Sequence, residues 1–206
     1  MPITPKSTEG TVFFGLSNVH IASVTETRDP LTGAITTTYG TPKAWPGAVH
    51  MILNTKATTN DSYADNGVWY TTSTNPGYDG TYESMGVPDW ALEELLGRLK
   101  DDNGVIFESA EDRAKPFALM FESETDTVPI RYVYHKCMLS NPSGDWETTT
   151  DSTTPKTATA NLRVMPRGDV DTKDGKNYHI IGGYVDGTVD ATAYDDFYNA
   201  VYVPSL

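Results

Sequence analysis

One segment of this 206-residue chain places leucines at clear helical spacing. In VPDWALEELLGRL, Leu92, Leu95, Leu96 and Leu99 recur at i, i+3, i+4 and i+7, which makes one stripe along one helix face. Pro88 suits a first helical turn. Asp89, Glu93 and Glu94 lie towards the positive end of the helix dipole, and Asp101-Asp102-Asn103-Gly104 stops the pattern. The spacing predicts one helix over about residues 88–99. A helix this short is marginal alone, so its leucine stripe must dock on a sheet.

The rest of the chain reads as strands punctuated by turns. TVFFGLSNVHIASVT is β-branched and aromatic, and ITTTYG returns across the DPLTG turn as its hairpin partner. KAWPGAVHMIL is a strand with an edge or bulge at Trp45-Pro46-Gly47, because proline cannot donate to a ladder. VWYTTST and GYDGTYESM read as two strands joined across Asn75-Pro76-Gly77. GVIFE, PFALMFE, PIRYVYHKCML and NYHIIGGYV add further strands. In TATANLRVM, Ala158, Ala160, Leu162 and Val164 face one side, and polar residues face the other. Residues 1–10 read as a polar N-terminal arm, 54–67 as a long polar loop, and 186–206 as a C-terminal arm. In that last segment Ala193, Phe197, Ala200 and Val201 are spaced for a short helix. No repeat or linker divides residues 1–206, so the expectation is one mainly β domain, a sandwich or barrel with one packed helix.

Composition narrows the function. The formal charge is -13 and the 15 lysines and arginines are scattered, so a groove-reading nucleic-acid binder is excluded. Twelve tyrosines, 4 tryptophans and 6 phenylalanines exclude a disordered chain. The lone Cys137 leaves no internal disulfide and no cysteine zinc site, and it reads as an inert thiol in a strand. His20, His50, His135 and His179 share no ligand spacing and read as hydrogen-bonded structural residues. Asp169, Asp171 and Asp174-Gly175 fail the calcium-loop pattern, which needs glycine one position earlier and a closing glutamate. No catalytic elbow or phosphate loop is present. The expectation is a chain without catalytic residues, metal or cofactor. MPITPKSTEG has no apolar core, and no apolar run reaches the ~20 residues of a membrane span, so neither secretion nor a membrane partner is expected.

What stands out is YADNGVWYTTSTNPGYDGTYES, with four tyrosines and a tryptophan inside a stretch from Lys56 to Arg98 that holds no basic residue between its ends. With GLSNVHIASVTE, VPDWALEELLG, NGVIFE, PFALMFE, RYVYHKC and YDDFYNAVYVP in this order, the chain resembles the major tail tube protein of long, non-contractile phage tails of Gram-positive hosts. SNPS at 140–143 departs from that pattern. The resemblance covers nearly the whole chain. It implies a β-sandwich of the tail tube type that assembles into hexameric rings stacked as a hollow tube. Its partners would be other copies of itself, a tape-measure protein, and the tail terminator and distal tail proteins. DNA would pass without specific binding. The site would be the virion tail, reached from the host cytoplasm during assembly. Candidate contacts between subunits are Tyr63, Trp69, Tyr70, Tyr78, Phe197, Tyr198 and Tyr202, together with the arms and the 54–67 loop. Amphipathic aromatics suit interfaces.

Two other classes compete. A phage β-sandwich that binds carbohydrate or a receptor would group its aromatics in one cleft. A glycosidase would need two carboxylates ~5–10 Å apart across a groove, and the sequence selects no such pair.

Overall fold

The computed structural model describes residues 12–126, 128–148, 155–188 and 191–205. Strands make up 52% of it and helices 6%, which fixes the class as mainly β. The strands are β1 (Phe13–Arg28), β2 (Ile35–Tyr39), β3 (Lys43–Ala44), β4 (Ala48–Thr55), β5 (Thr58–Ala64), β6 (Gly67–Thr74), β7 (Tyr78–Ser84), β8 (Leu99–Lys100), β9 (Ile106–Phe107), β10 (Phe117–Thr125), β11 (Ile130–Leu139), β12 (Ala158–Met165), β13 (Asp171–Lys173), β14 (Lys176–Tyr178) and β15 (Gly182–Asp186). The helices are α1 (Asp89–Leu95) and α2 (Ala191–Asp195).

One antiparallel sheet of nine strands dominates, in the order β2-β1-β10-β11-β12-β7-β4. Two strands branch from that path. β3 pairs with β1 beside β2, and β15 pairs with the first half of β11 while β12 pairs with the second half. The chain leaves β3 on β1 and enters β4 on β7, so a single corner links the two ends of the sheet. That corner is Trp45-Pro46-Gly47. Gly47 has φ +87°, which a side chain would strain. Its carbonyl accepts from Met85 N–H at 2.7 Å. Trp45 is 2% exposed and meets Tyr82 and Trp90 edge-on at 5.1 and 6.2 Å. Its backbone N–H donates to Val19, and its indole N–H donates to the Gly86 carbonyl at 2.9 Å.

The sheet buries both faces in its middle. Val19, Ile21, Phe117, Leu119, Leu162 and Val164 join Trp45 and Leu95 in the inner core. On the outer face Ala22, Val24, Ala118, Met120 and Val133 meet Phe197 and Val201. This explains the unbroken apolar run PFALM, all four of whose strand residues Phe117 to Met120 are buried. A bulge in β11 between Tyr134 and Cys137 adds one residue, so His135 and Val133 face outward while Cys137 faces the inner core. Burial pushes the Cys137 thiol far above its ordinary pKa, so it stays protonated and inert.

Several expectations need correction. The helix is shorter than residues 88–99: α1 ends at Leu95, with Leu96 as its cap. Gly97 then takes φ +76°, and a Cβ there would lie 2.8 Å from the Arg113 carbonyl. Leu95 and Leu96 are buried as the stripe requires, but Leu99 lies outside the helix and is largely exposed. Val68–Thr74 does not pair with Tyr78–Ser84, which lies between β4 and β12. Residues 186–206 are not a free arm over their described part, because α2, Phe197 and Val201 pack on the outer face. The expected arm at residues 1–10 lies outside the described residues.

Two measurements test this architecture. Trp45→Ala should cost about 3–5 kcal/mol in urea unfolding, and a loss below about 1 kcal/mol would remove the corner from its central place. The second concerns His135, which is 1% exposed and paired through Nδ1 with Tyr39 Oη at 3.2 Å. Burial holds its imidazole down to about 4, and the Arg167 guanidinium adds repulsion that Asp169 and Asp171 partly offset. The unfolded chain therefore takes up a proton near pH 6.5 that the folded chain refuses until about pH 4. Stability should fall as pH drops through that window, by up to roughly 3 kcal/mol. His135→Gln should flatten the fall between pH ~6.5 and ~5, and an unchanged slope would assign it to other groups.

Candidate functional site

The stretch expected as a long loop is half of a hairpin. Asp65 and Asn66 both have positive φ, 49° and 63°, and form the two-residue turn that best matches strand twist. β5 and β6 pair from Thr58↔Thr74 to Ala64↔Gly67. Ser62 faces Tyr70 and Tyr63 faces Val68, so Trp69 is the extra residue of a bulge. Thr71 donates to Asp61 at 2.7 Å, and the hydroxyls of Thr58 and Thr74 lie 2.9 Å apart.

The hairpin continues the β4–β7 pair. Thr55 faces Tyr78, and Lys56 N–H donates to the Gly77 carbonyl at 3.0 Å. Pro76 breaks the ladder, and Gly77, at φ +114°, bends the ribbon where a Cβ would lie 2.1 Å from the Val164 carbonyl. Asn75-Pro76-Gly77 is thus a kink within a ribbon and not a turn between strands. At roughly 3.3 Å per residue, β5 and β6 extend about 20–25 Å.

Every residue of β5 and β6 is exposed. Tyr63 is 72%, Trp69 73% and Tyr70 63% exposed. No residue of either core cluster comes from this hairpin. A lone two-stranded hairpin is at best marginally stable in water, so this one presents a large aromatic surface without covering it.

The other four expected contact residues lie elsewhere on the chain. Tyr78 packs on the inner core with its ring 5.6 Å from Tyr134. Phe197 is 3% exposed in the outer core. Tyr198 lies 4.4 Å from His20 and edge-on to Phe197 at 5.4 Å. Tyr202 is half exposed and walls a cavity of about 400 Å³ over His135, with Phe197 and Pro204. Arg131 locks this segment in place. Its guanidinium stacks 3.8 Å from the Tyr194 ring, donates to the Tyr194 carbonyl, and pairs with Glu122 at 2.8 Å. The structure therefore gathers Tyr63, Trp69 and Tyr70 and separates them from Tyr78, Phe197, Tyr198 and Tyr202.

Sequence reasoning missed a second aromatic feature. Where β15 and β12 part along β11, the inner face opens into a groove of about 460 Å³. Tyr78, Tyr132, Tyr134, Tyr184, Asn75 and His179 line it, with residues 180–183. The rings form a continuous run, Tyr78–Tyr134–Phe121–Tyr132–Tyr184, with successive centroids 5.6, 6.2, 5.1 and 5.9 Å apart. Burial pushes the Tyr134 hydroxyl up to about 12 and raises Tyr132, so both stay protonated. The signal was the alternation of RYVYHK, which puts Tyr132 and Tyr134 on one face, but only tertiary structure brings Tyr184 and Tyr78 beside them.

Among the described residues no group of three His, Cys, Asp or Glu side chains converges on one point. Asp169 and Asp171 flank Arg167, with Asp169 3.2 Å from Arg167 Nε, an ion pair off the hydrogen-bond angle. Among the described residues no helix is long and apolar enough to cross a membrane. No family model matches the chain, and no curated protein matches it significantly.

Replacing Trp69 with serine should leave the unfolding free energy of the isolated chain within about 0.5 kcal/mol of wild type. A loss above about 1 kcal/mol would mean that the hairpin packs on its own subunit.

Proposed function

We propose that this chain is a structural virion protein, the major tail tube subunit of a long, non-contractile phage tail. Six copies close into a ring, and rings stack into a tube around a tape-measure protein. Tail terminator and distal tail proteins end the tube, and DNA later passes through it. The observation that carries this reading is the projecting β5–β6 hairpin. It spans fifteen exposed strand residues, Tyr63, Trp69 and Tyr70 among them. Such a surface is explained when a neighbouring copy buries it, because burial returns roughly 25 cal/mol per Å² of apolar area. The ordered resemblance along nearly the whole sequence supports the same reading.

Charge fits the conduit role. A ring of six would carry six times the formal -13 of each chain. Clustered lysines would grip phosphates one by one, and an acidic wall offers none. Repulsion is modest, about 1 kcal/mol for unit charges 4 Å apart in water and screened beyond ~8 Å at physiological salt. The wall's value is therefore the lack of sticky sites. The same charge opposes assembly, so moderate salt should promote it.

Negative-stain electron microscopy of the purified chain over a concentration and salt series tests the proposal. Hollow rods or six-fold rings are expected, favoured by moderate salt, and lost in a Tyr63→Ser, Trp69→Ser, Tyr70→Ser variant that remains folded. Rods that persist in the triple variant would remove the hairpin from the interface. Monomers under every condition would count against the tube.

A further inference from the structure

The tyrosine-lined groove between β7, β11 and β15 has the composition of a ligand site. None of its lining residues is Asp, Glu, Lys or Arg. The groove therefore has no fixed charge to pair with a phosphate, a nucleic-acid backbone or a hard cation, and its polar groups suit a neutral ligand. Its volume of about 460 Å³ falls among small-molecule sites. The walls combine aromatic faces with polar tips: tyrosine hydroxyls, the Asn75 carboxamide and the His179 imidazole. The Asn75 side-chain oxygen accepts from Gly77 N–H at 3.2 Å, which leaves its amide nitrogen as a donor.

The groove is also preformed. Tyr132 stacks on Phe121 at 14° between ring planes, and Phe121 in turn contacts Tyr134. Gly182 allows Tyr134 to lie against β15. A Cβ at Gly182 would sit 2.6 Å from the Tyr134 ring and 2.4 Å from the Val133 carbonyl. Rings already held in place lose little freedom on binding. Tyr184, 70% exposed, stands at the rim with its ring tilted 41° to Tyr132.

We propose that this groove binds a neutral saccharide. A pyranose ring has an apolar C–H face and a girdle of hydroxyls. The face stacks on the exposed ring of Tyr184, and the hydroxyls meet Asn75, His179, the tyrosine hydroxyls and the main chain of β15. No charge on the sugar is needed, and the groove supplies none. The groove adjoins only the foot of the β5–β6 hairpin, through Asn75, and none of Tyr63, Trp69 and Tyr70 lines it, so sugar binding and tube assembly can be tested by different variants.

The test is an amide-resonance titration of the isotope-labelled full chain with chitotriose, maltotriose and cellotriose, with inorganic phosphate as the charged control. At least one sugar should shift the resonances of His179, Gly182, Gly183 and Tyr184, with a Kd on the order of 1 mM. Tyr184→Ala should weaken that binding by about tenfold or more. Asn75→Ala should weaken it too, and both side chains are exposed enough for the fold to survive their loss. Four results would each overturn the proposal. They are no groove shift with any of the three sugars, equal binding by Tyr184→Ala, equal shifts with phosphate, and groove resonances that move with protein concentration alone. The last would assign the groove to a second copy of the chain.

Discussion

The Trp45-Pro46-Gly47 corner holds the inner core closed. A twisted sheet that stayed open would leave its inner face wet along β1 and β4. Here the chain passes from one end of the sheet to the other within three residues, between β3 on β1 and β4 on β7. Each residue has a separate duty. Proline ends one ladder, glycine takes φ +87°, and the tryptophan fills the enclosed space while its indole N–H reaches the Gly86 carbonyl. Without that hydrogen bond a buried indole donor would be left unpaired, at a cost of about 1–3 kcal/mol. Helix α1 follows from the same closure, because Trp90, Ala91 and Leu95 pack against the core that the corner defines.

The outer face depends on the C-terminal segment. β1, β10 and β11 carry apolar residues on both sides, so the sheet alone leaves half of them exposed. Phe197 and Val201 cover Ala22, Ala118, Met120 and Val133. Arg131, held between Glu122 and Tyr194, fixes where that cover begins. Beside it lies a polar layer of His135, Tyr39, Arg167, Asp169 and Asp171. This layer couples the second core to pH, because the imidazole is buried neutral among charges it cannot join.

Once both cores are closed, two aromatic surfaces are left over. The β5–β6 hairpin leaves the sheet as a ribbon and buries none of its rings within either core cluster. The tyrosine groove is the inner face continued past the point where the strands part. One is flat and projecting, and the other is concave and preformed. On the proposed reading the first meets another subunit and the second meets a sugar, and their shapes fit those different tasks.

The sequence by itself determined the class and most strand positions. Alternation places Ala160, Leu162 and Val164 inward, the DPLTG turn brings β2 back onto β1, and a single leucine stripe limits the main helix to one place. These are local rules, set by the two-residue and 3.6-residue periods of the backbone. The aromatic content of residues 63–84 was also legible. Its arrangement was not. Residues 58–62 are wholly polar, so no apolar period marked β5 as a strand. A short helix in the C-terminal segment was legible, although α2 ends at Asp195 and leaves Phe197, Ala200 and Val201 outside it; the segment's role as a cover was not, because what it covers is supplied by strands some 60 to 180 residues earlier. The groove was hidden for the same reason. Tyr78, Tyr132 and Tyr184 belong to three distant strands, and only the pairing that splits the edge of β11 between β12 and β15 brings their rings to one opening. Long-range pairing is decided by which faces the whole chain can bury at once, and no local window contains that information.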